Sequence, residues 1–144
     1  MILSIDPGHI SGYFLFTDNG EDTAVFGQVD EKGLFDFLTT LERPSLIIIE
    51  KFTLYGHKAL QQTGSSMETP QIIGMVKMYA HQKDVPVVEQ PASILPIAEM
   101  WSGVKVNGKG GHAQSHWKSA YNHGWYYLQK NGLKKSRILD ESKP

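Results

Sequence analysis

Leu46-Ile47-Ile48-Ile49-Glu50 is an unbroken apolar run closed by an acid, and its reading decides the fold. A strand exposed on one face alternates apolar and polar side chains. A run without alternation predicts a strand buried on both faces, inside a sheet with helices above and below. The chain opens on a shorter version of the same pattern. Ile2, Leu3 and Ile5 lead to Asp6, with the Pro7-Gly8 turn signal directly beyond.

Working outward, Tyr13-Phe14-Leu15-Phe16 is a second apolar run, closed by Asp18-Asn19-Gly20, and Thr23–Val29 is a third. Two short connections among three runs predict an antiparallel meander. From Glu31 the period changes: Leu34, Phe37, Leu38 and Leu41 define one face of a helix that ends near Arg43-Pro44. Residues 52–66 read as a polar, Gly-punctuated loop. A helix is expected from Glu68 to Gln82, with Ile72, Val76, Tyr79 and Ala80 as its apolar stripe. Val85–Glu89 reads as a fifth strand, Ile94–Met100 as a brief helix, and 102–111 as a basic, Gly-rich connection. The last helix is expected from His112 to Gln129, closed by Asn131-Gly132. The order β-β-β-α-β-α-β-α predicts an α/β fold: a mixed five-stranded sheet with helices on both faces. It occupies one domain, residues 1–133, followed by a basic, frayed tail over 134–144.

Composition bounds the function. The 144 residues are 40% hydrophobic and 20% charged, which excludes wholesale disorder. Cysteine is absent, so disulfides, thiolate zinc sites and a cysteine nucleophile are excluded. No apolar run approaches the roughly 18 residues that cross a bilayer, and Met1 is not followed by a basic n-region. The expectation is a soluble, cytoplasmic protein with no membrane partner. The net charge of −1 conceals an asymmetry. Residues 1–100 carry 6 basic and 13 acidic side chains, a net of −7, and residues 101–144 carry 8 basic and 2 acidic, a net of +6. Such a contrast between halves hints at a polyanionic partner, although a solvated Lys-rich face explains it equally well.

Two acids stand out by position. Asp6 and Glu50 each end an apolar strand, and if those strands are neighbours their carboxylates emerge side by side. Paired hard oxygen donors of this kind suit Mg²⁺ or Mn²⁺, whereas either acid alone is as readily a strand end returning to water. The last helix adds imidazoles. With His116 at 0° and about 100° per residue, Ser119 falls near −60°, His123 near −20° and His112 near −40°. The four share a narrow polar stripe beside the apolar face of Trp117, Ala120, Tyr121, Gly124 and Leu128. A stripe of this kind supplies either metal ligands or partly exposed surface histidines.

These segments together resemble a known family. Ile2-Leu3-Ser4-Ile5-Asp6-Pro7-Gly8 followed by Gly12-Tyr13 resembles the first-strand signature of RuvC-type Holliday-junction resolvases, in the RNase H-like superfamily. Leu46–Glu50 resembles that family's second acidic strand. His116-Trp117-Lys118-Ser119-Ala120 resembles the helical stretch where the family places a His or Asp, and then an Asp three residues later. Residues from Glu50 through Gly74 also look like those of phage-encoded members.

The resemblance implies a structure-selective DNA endonuclease that hydrolyses phosphodiester bonds with two divalent ions, Mg²⁺ or Mn²⁺. Asp6, Glu50 and His116 would be catalytic and metal-binding, and Ser119 stands at the fourth metal position, where His123 or His112 on the same stripe would be the substitute ligand. Lys105, Lys109 and Lys118 would contact phosphates, and Phe52, Tyr55 and Lys58 would either lie against bases at a branch point or belong to a loop that packs its own aromatics. Branched DNA would be the substrate, and the two-fold symmetry of a four-way junction implies a homodimer. The helix carrying Met67, Ile73, Met75 and Met78 is the candidate dimer surface. Ser119 departs from the pattern, because a neutral hydroxyl is a poor ligand where an aspartate is expected. That departure keeps open a catalytically weak or inactive branched-DNA-binding homologue. A metal-dependent enzyme acting on a small phosphate-containing substrate stays open as well.

Overall fold

The computed structural model describes residues 1–53, 68–106 and 115–135. Its first three strands, β1 (Ile2–Asp6), β2 (Ser11–Phe16) and β3 (Asp22–Val29), form the expected antiparallel meander. Helix α1 (Glu31–Thr40) begins where Asp30 accepts a hydrogen bond from the Gly33 amide at 2.8 Å, satisfying one otherwise orphaned N–H of the first turn. Strand β4 (Leu46–Glu50) then enters parallel to β1. Helix α2 (Glu68–Lys83) precedes β5 (Val87–Gln90), which lies parallel to β4 on its other side. A 3₁₀ turn (Ala92–Ile94), helix α3 (Leu95–Ser102) and the long helix α4 (Ser115–Lys130) complete the described chain. The sheet order is β3-β2-β1-β4-β5, so the chain has the mixed five-stranded α/β architecture that the sequence predicts.

The unbroken Leu46–Glu50 run now has its reason. Ile47 and Ile49 join Leu3 and Ile5 in a core under α1 and α2, with Leu34, Leu38, Ile72, Val76 and Ala80. Ile48 points the other way and packs with Ile2, Phe14 and Phe16 against Tyr121, Trp125 and Leu128 of α4. All three β4 isoleucines are fully buried. Truncating any of them to alanine leaves a cavity that costs about 2–5 kcal/mol.

Strand alternation therefore assigns the acids to a face. Side chains two residues apart share a side, so Asp6 lies on the α4 side with Ile2, and Glu50 with Ile48. Helix α4 also lies very close to the sheet. A Cβ on Gly12 would collide with the backbone of His116, and one on Gly124 with the ring of Phe16. Glycine at these two positions is what lets α4 rest directly on β2.

Some expectations need correction. The α4 stripe divides: Ser119 and His123 are buried, as is the neighbouring Asn122, His116 is partly exposed, and His112 lies outside the described residues. Ser119 and His123 are covered by the sheet, where they meet Glu50 and Gln90, and Asn122 is covered by α3, where Ser102 Oγ donates to Asn122 Oδ1 at 2.6 Å. On α2, Ile73 is buried and Met75 packs against the core, so of the suggested dimer surface only Met78 stands exposed among the described residues. Met67 lies outside them. Lys134 pairs with Asp22 at 3.0 Å and lies 4.6 Å from the Trp125 ring centroid. No helix among the described residues is long and apolar enough to cross a membrane.

Candidate functional site

One register row runs across the whole sheet. Gln28 pairs with Gly12, Gly12 with Asp6, and Glu50 with Gln90. Because Ile5 pairs with Ile49, Asp6 and Glu50 are the next neighbours in the parallel ladder. One residue from each of the five strands thus lies in line, on the side covered by α4, and all five bond to or lie against that helix.

The row sets the start of α4. Gln28 Oε1 accepts from the backbone amides of His116 at 2.9 Å and Trp117 at 3.2 Å. Those amides have no partner inside the helix, so a side-chain oxygen at this point caps it. Gly12, lacking a side chain, admits the His116 backbone beside it. His116 Nδ1 consequently reaches Asp6 Oδ2 at 3.5 Å, with side-chain exposures of 42% and 17%.

Electrostatics at this pair follow from burial. Desolvation raises the Asp6 carboxyl above its ordinary value, and the nearby Glu50 charge raises it further, against the opposing pull of His116. His116 is raised above the usual imidazole value, chiefly by its polar contact with the Asp6 carboxylate, which outweighs its own partial burial. Each group therefore binds a proton more tightly than it would in water, Asp6 chiefly because it is buried and His116 chiefly because Asp6 lies beside it.

One turn and two turns further along α4, Ser119 and His123 face Glu50. His123 Nε2 lies 2.9 Å from Glu50 Oε2, and the Ser119 hydroxyl lies 3.4 Å from the same oxygen. His123 has no exposed side-chain surface, whereas Glu50 retains 22%. Gln90 closes the row: its Nε2 lies 2.9 Å from the His123 carbonyl oxygen and 3.2 Å from His123 Nδ1.

The sequence-named residues thus divide. Asp6, Glu50, His116, Ser119 and His123 come together at one end of the sheet. Among the described residues, no three His, Asp or Glu side chains converge into a preassembled cage for an ion. Lys118 is partly exposed, with Nζ 5.8 Å from the Trp117 ring centroid, and Lys105 is exposed. Lys58, Lys109, His112 and Tyr55 lie outside the described residues. Phe52 packs against the α1/α2 core and lines a cleft of about 190 Å³ beside Glu50, with Pro7, Thr53, Thr69 and Pro91.

Gln28, Gly12 and Gln90 complete the arrangement without having been singled out for it. Two are neutral amides and one has no side chain, so composition gives them no chemical signature. Their signal is positional, since each stands in register with Asp6 or Glu50. Gln90 also lies one residue beyond the strand that the sequence suggests.

No family model matches the chain, and no curated protein matches its sequence. Solved structures do match. Thermus thermophilus RuvC in complex with a Holliday junction substrate aligns with a TM-score of 0.63 at 16% identity, covering 93% of this chain and 97% of that one. A second Thermus thermophilus RuvC structure aligns at a TM-score of 0.55 and 16% identity, covering 93% and 98%. At this level of identity the likeness speaks for architecture: the chain has a RuvC-like, RNase H-like fold.

Proposed function

We propose that this protein is a structure-selective DNA endonuclease of the junction-resolving kind, dependent on a divalent metal ion. The observation that carries the reading is the row itself. It sets two carboxylates from neighbouring parallel strands beneath a helix that brings an imidazole to the first of them. The match to a RuvC structure holding a Holliday junction supports branched DNA as the substrate class.

The donor set fits a hard divalent cation. Asp6 and Glu50 offer carboxylate oxygens and His116 an imidazole nitrogen, and the Asp6 carboxyl is raised chiefly by burial and further by the Glu50 charge. Asp6, Glu50 and His116 would hold Mg²⁺ or Mn²⁺, which would supply water activation and neutralise charge on the phosphate. A second ion would have to draw on Ser119, a neutral hydroxyl turned toward Glu50, and is the weaker of the two. Lys105, Lys109 and Lys118 meet the DNA backbone as point charges, and Lys58 with Phe52 lies at the branch point. Two copies related by a two-fold axis match the symmetry of a four-way junction, and the setting is the cytoplasm, that of the host if the protein is phage-encoded.

The test is cleavage of an end-labelled four-way junction beside a linear duplex of the same arm sequence, in Mg²⁺, in Mn²⁺ and in chelator. Metal-dependent cuts confined to the junction support the reading, and equal cutting of both substrates contradicts its structural selectivity. One observation favours a second reading: Ser119 is buried, neutral and bonded to Glu50 where a third acid would complete the site. A junction-binding protein that does not cleave predicts salt-sensitive binding without cuts in either metal, and a gain of cutting in Ser119→Asp.

A further inference from the structure

The hydrogen bonds behind Glu50 settle the protonation of a buried side chain. The His123 backbone carbonyl only accepts, so the Gln90 atom 2.9 Å away is the amide nitrogen, and the orientation of that amide is fixed. The same nitrogen lies 3.2 Å from His123 Nδ1 and brings its second hydrogen there. Nδ1 must then present a lone pair. The proton of a neutral imidazole is left on Nε2, which donates to Glu50 Oε2 at 2.9 Å.

We infer that His123 is a positioning residue: held by Gln90 as its Nε2–H tautomer, it fixes the Glu50 carboxylate for cation binding and does not itself ligate the ion. The inference rests on the metal-dependent reading of the site and deepens it. Both ring nitrogens are occupied and the ring is fully buried, so neither lone-pair chemistry nor access is left for a ligand role. His123 and Ser119 converge on one carboxylate oxygen, Oε2, and leave the other to the cation. Glutamate at a strand end has three rotatable bonds, and a donor buried behind it selects one of its orientations. The neutral donor adds no positive charge, so the attraction of Asp6 and Glu50 for a cation is undiminished. Partners that orient a ligand from behind typically account for roughly 10–100-fold in metal affinity.

The test reads the tautomer and the metal separately, both without DNA. In the ¹⁵N-labelled full-length protein without metal, long-range ¹H–¹⁵N correlation should show a pyrrole-type Nε2 and a pyridine-type Nδ1 for His123. By calorimetry, His123→Leu should weaken Mn²⁺ binding roughly 10–100-fold. His123→Gln, which returns an N–H at the same reach, should restore binding to within about threefold of the unmodified protein. Should His123→Leu fail to fold, Gln90→Leu gives the parallel result: loss of the single-tautomer pattern together with weakened Mn²⁺ binding. A proton found on Nδ1, equal losses in the Gln and Leu variants, no loss in either, or no Mn²⁺ binding by the unmodified protein overturns the inference. Absence of junction cleavage beside the expected tautomer and graded Mn²⁺ binding overturns the endonuclease reading and leaves the role of His123 standing.

Discussion

Asp6 pairs with Gly12 in the β1–β2 ladder, and the missing side chain of Gly12 is what allows His116 to reach the Asp6 carboxylate. The position of an acid and the position of an imidazole 110 residues away in sequence thus depend on one glycine between them.

Gly12→Ala tests that dependence. The added methyl meets helix backbone, which cannot rotate away, so α4 must lift from β2. Overpacking of this kind costs about 1–3 kcal/mol. Chemical denaturation should show that loss. Metal-dependent cleavage should fall by more than the lost stability explains, because His116 moves with the helix.

Asp6→Asn should stabilise the metal-free protein while abolishing activity. Folding raises the Asp6 pKa above the unfolded value, so the folded state favours the protonated carboxyl. The stability linked to that proton is present at low pH and is lost as pH rises through the raised folded value. At neutral pH the ionised Asp6 is therefore a cost, and asparagine removes it. Thermal unfolding in chelator should show a gain of roughly 1 kcal/mol, typical of relaxing a destabilised functional site. Mn²⁺ should raise the melting temperature of the unmodified protein and leave that of Asp6→Asn unchanged.

Metal binding should also report His116. Its pKa is raised above the ordinary 6.5 by Asp6, and the proton it holds competes with a cation for the same nitrogen. Below that raised pKa, Mn²⁺ affinity should increase about tenfold per pH unit from this proton, and it should level off above it. In His116→Ala this part of the pH dependence should disappear. The same linkage acts on folding with the opposite sign. The contribution of His116 to metal-free stability is complete below the unfolded value and falls as pH rises through the folded one.

Much of this arrangement is legible in the sequence because hydrophobic patterning carries it. The unbroken Leu46–Ile49 run predicts a strand buried on both faces, and period-two alternation then sets Glu50 and Asp6 on the same side. The burial of His123 is not legible. It follows from the way α4 seats on the ends of β4 and β5, where Glu50 and Gln90 meet the ring, a tertiary contact between segments whose own patterns give no sign of it. Gln28 and Gln90 escape notice for a related reason. Their roles come from standing in one register row, and register is a property of the sheet. Ile73 and Met75 look like surplus apolar surface on α2 until α1 and the sheet supply the core that takes them up.

Lys105 and Lys118 test the DNA-facing surface. Each phosphate contact removed lowers the magnitude of the salt slope by about 0.9 in double-stranded DNA. Lys105→Ala and Lys118→Ala should each weaken junction binding in a salt-dependent way, with little effect on Mn²⁺ affinity. Fluorescence anisotropy across a salt series reads both the affinity and the slope. Slopes unchanged in both variants would remove these lysines from the interface.

The central claim is that Asp6 and Glu50 form the metal-dependent cutting centre for branched DNA. The most direct measurement is junction cleavage in Mn²⁺ by Asp6→Asn and Glu50→Gln, with junction binding followed in parallel. The account predicts that both variants bind the junction and neither cuts it, a loss of at least about 100-fold for removing a metal-holding carboxylate. Metal-dependent cleavage that persists in both variants at the rate of the unmodified protein would contradict it.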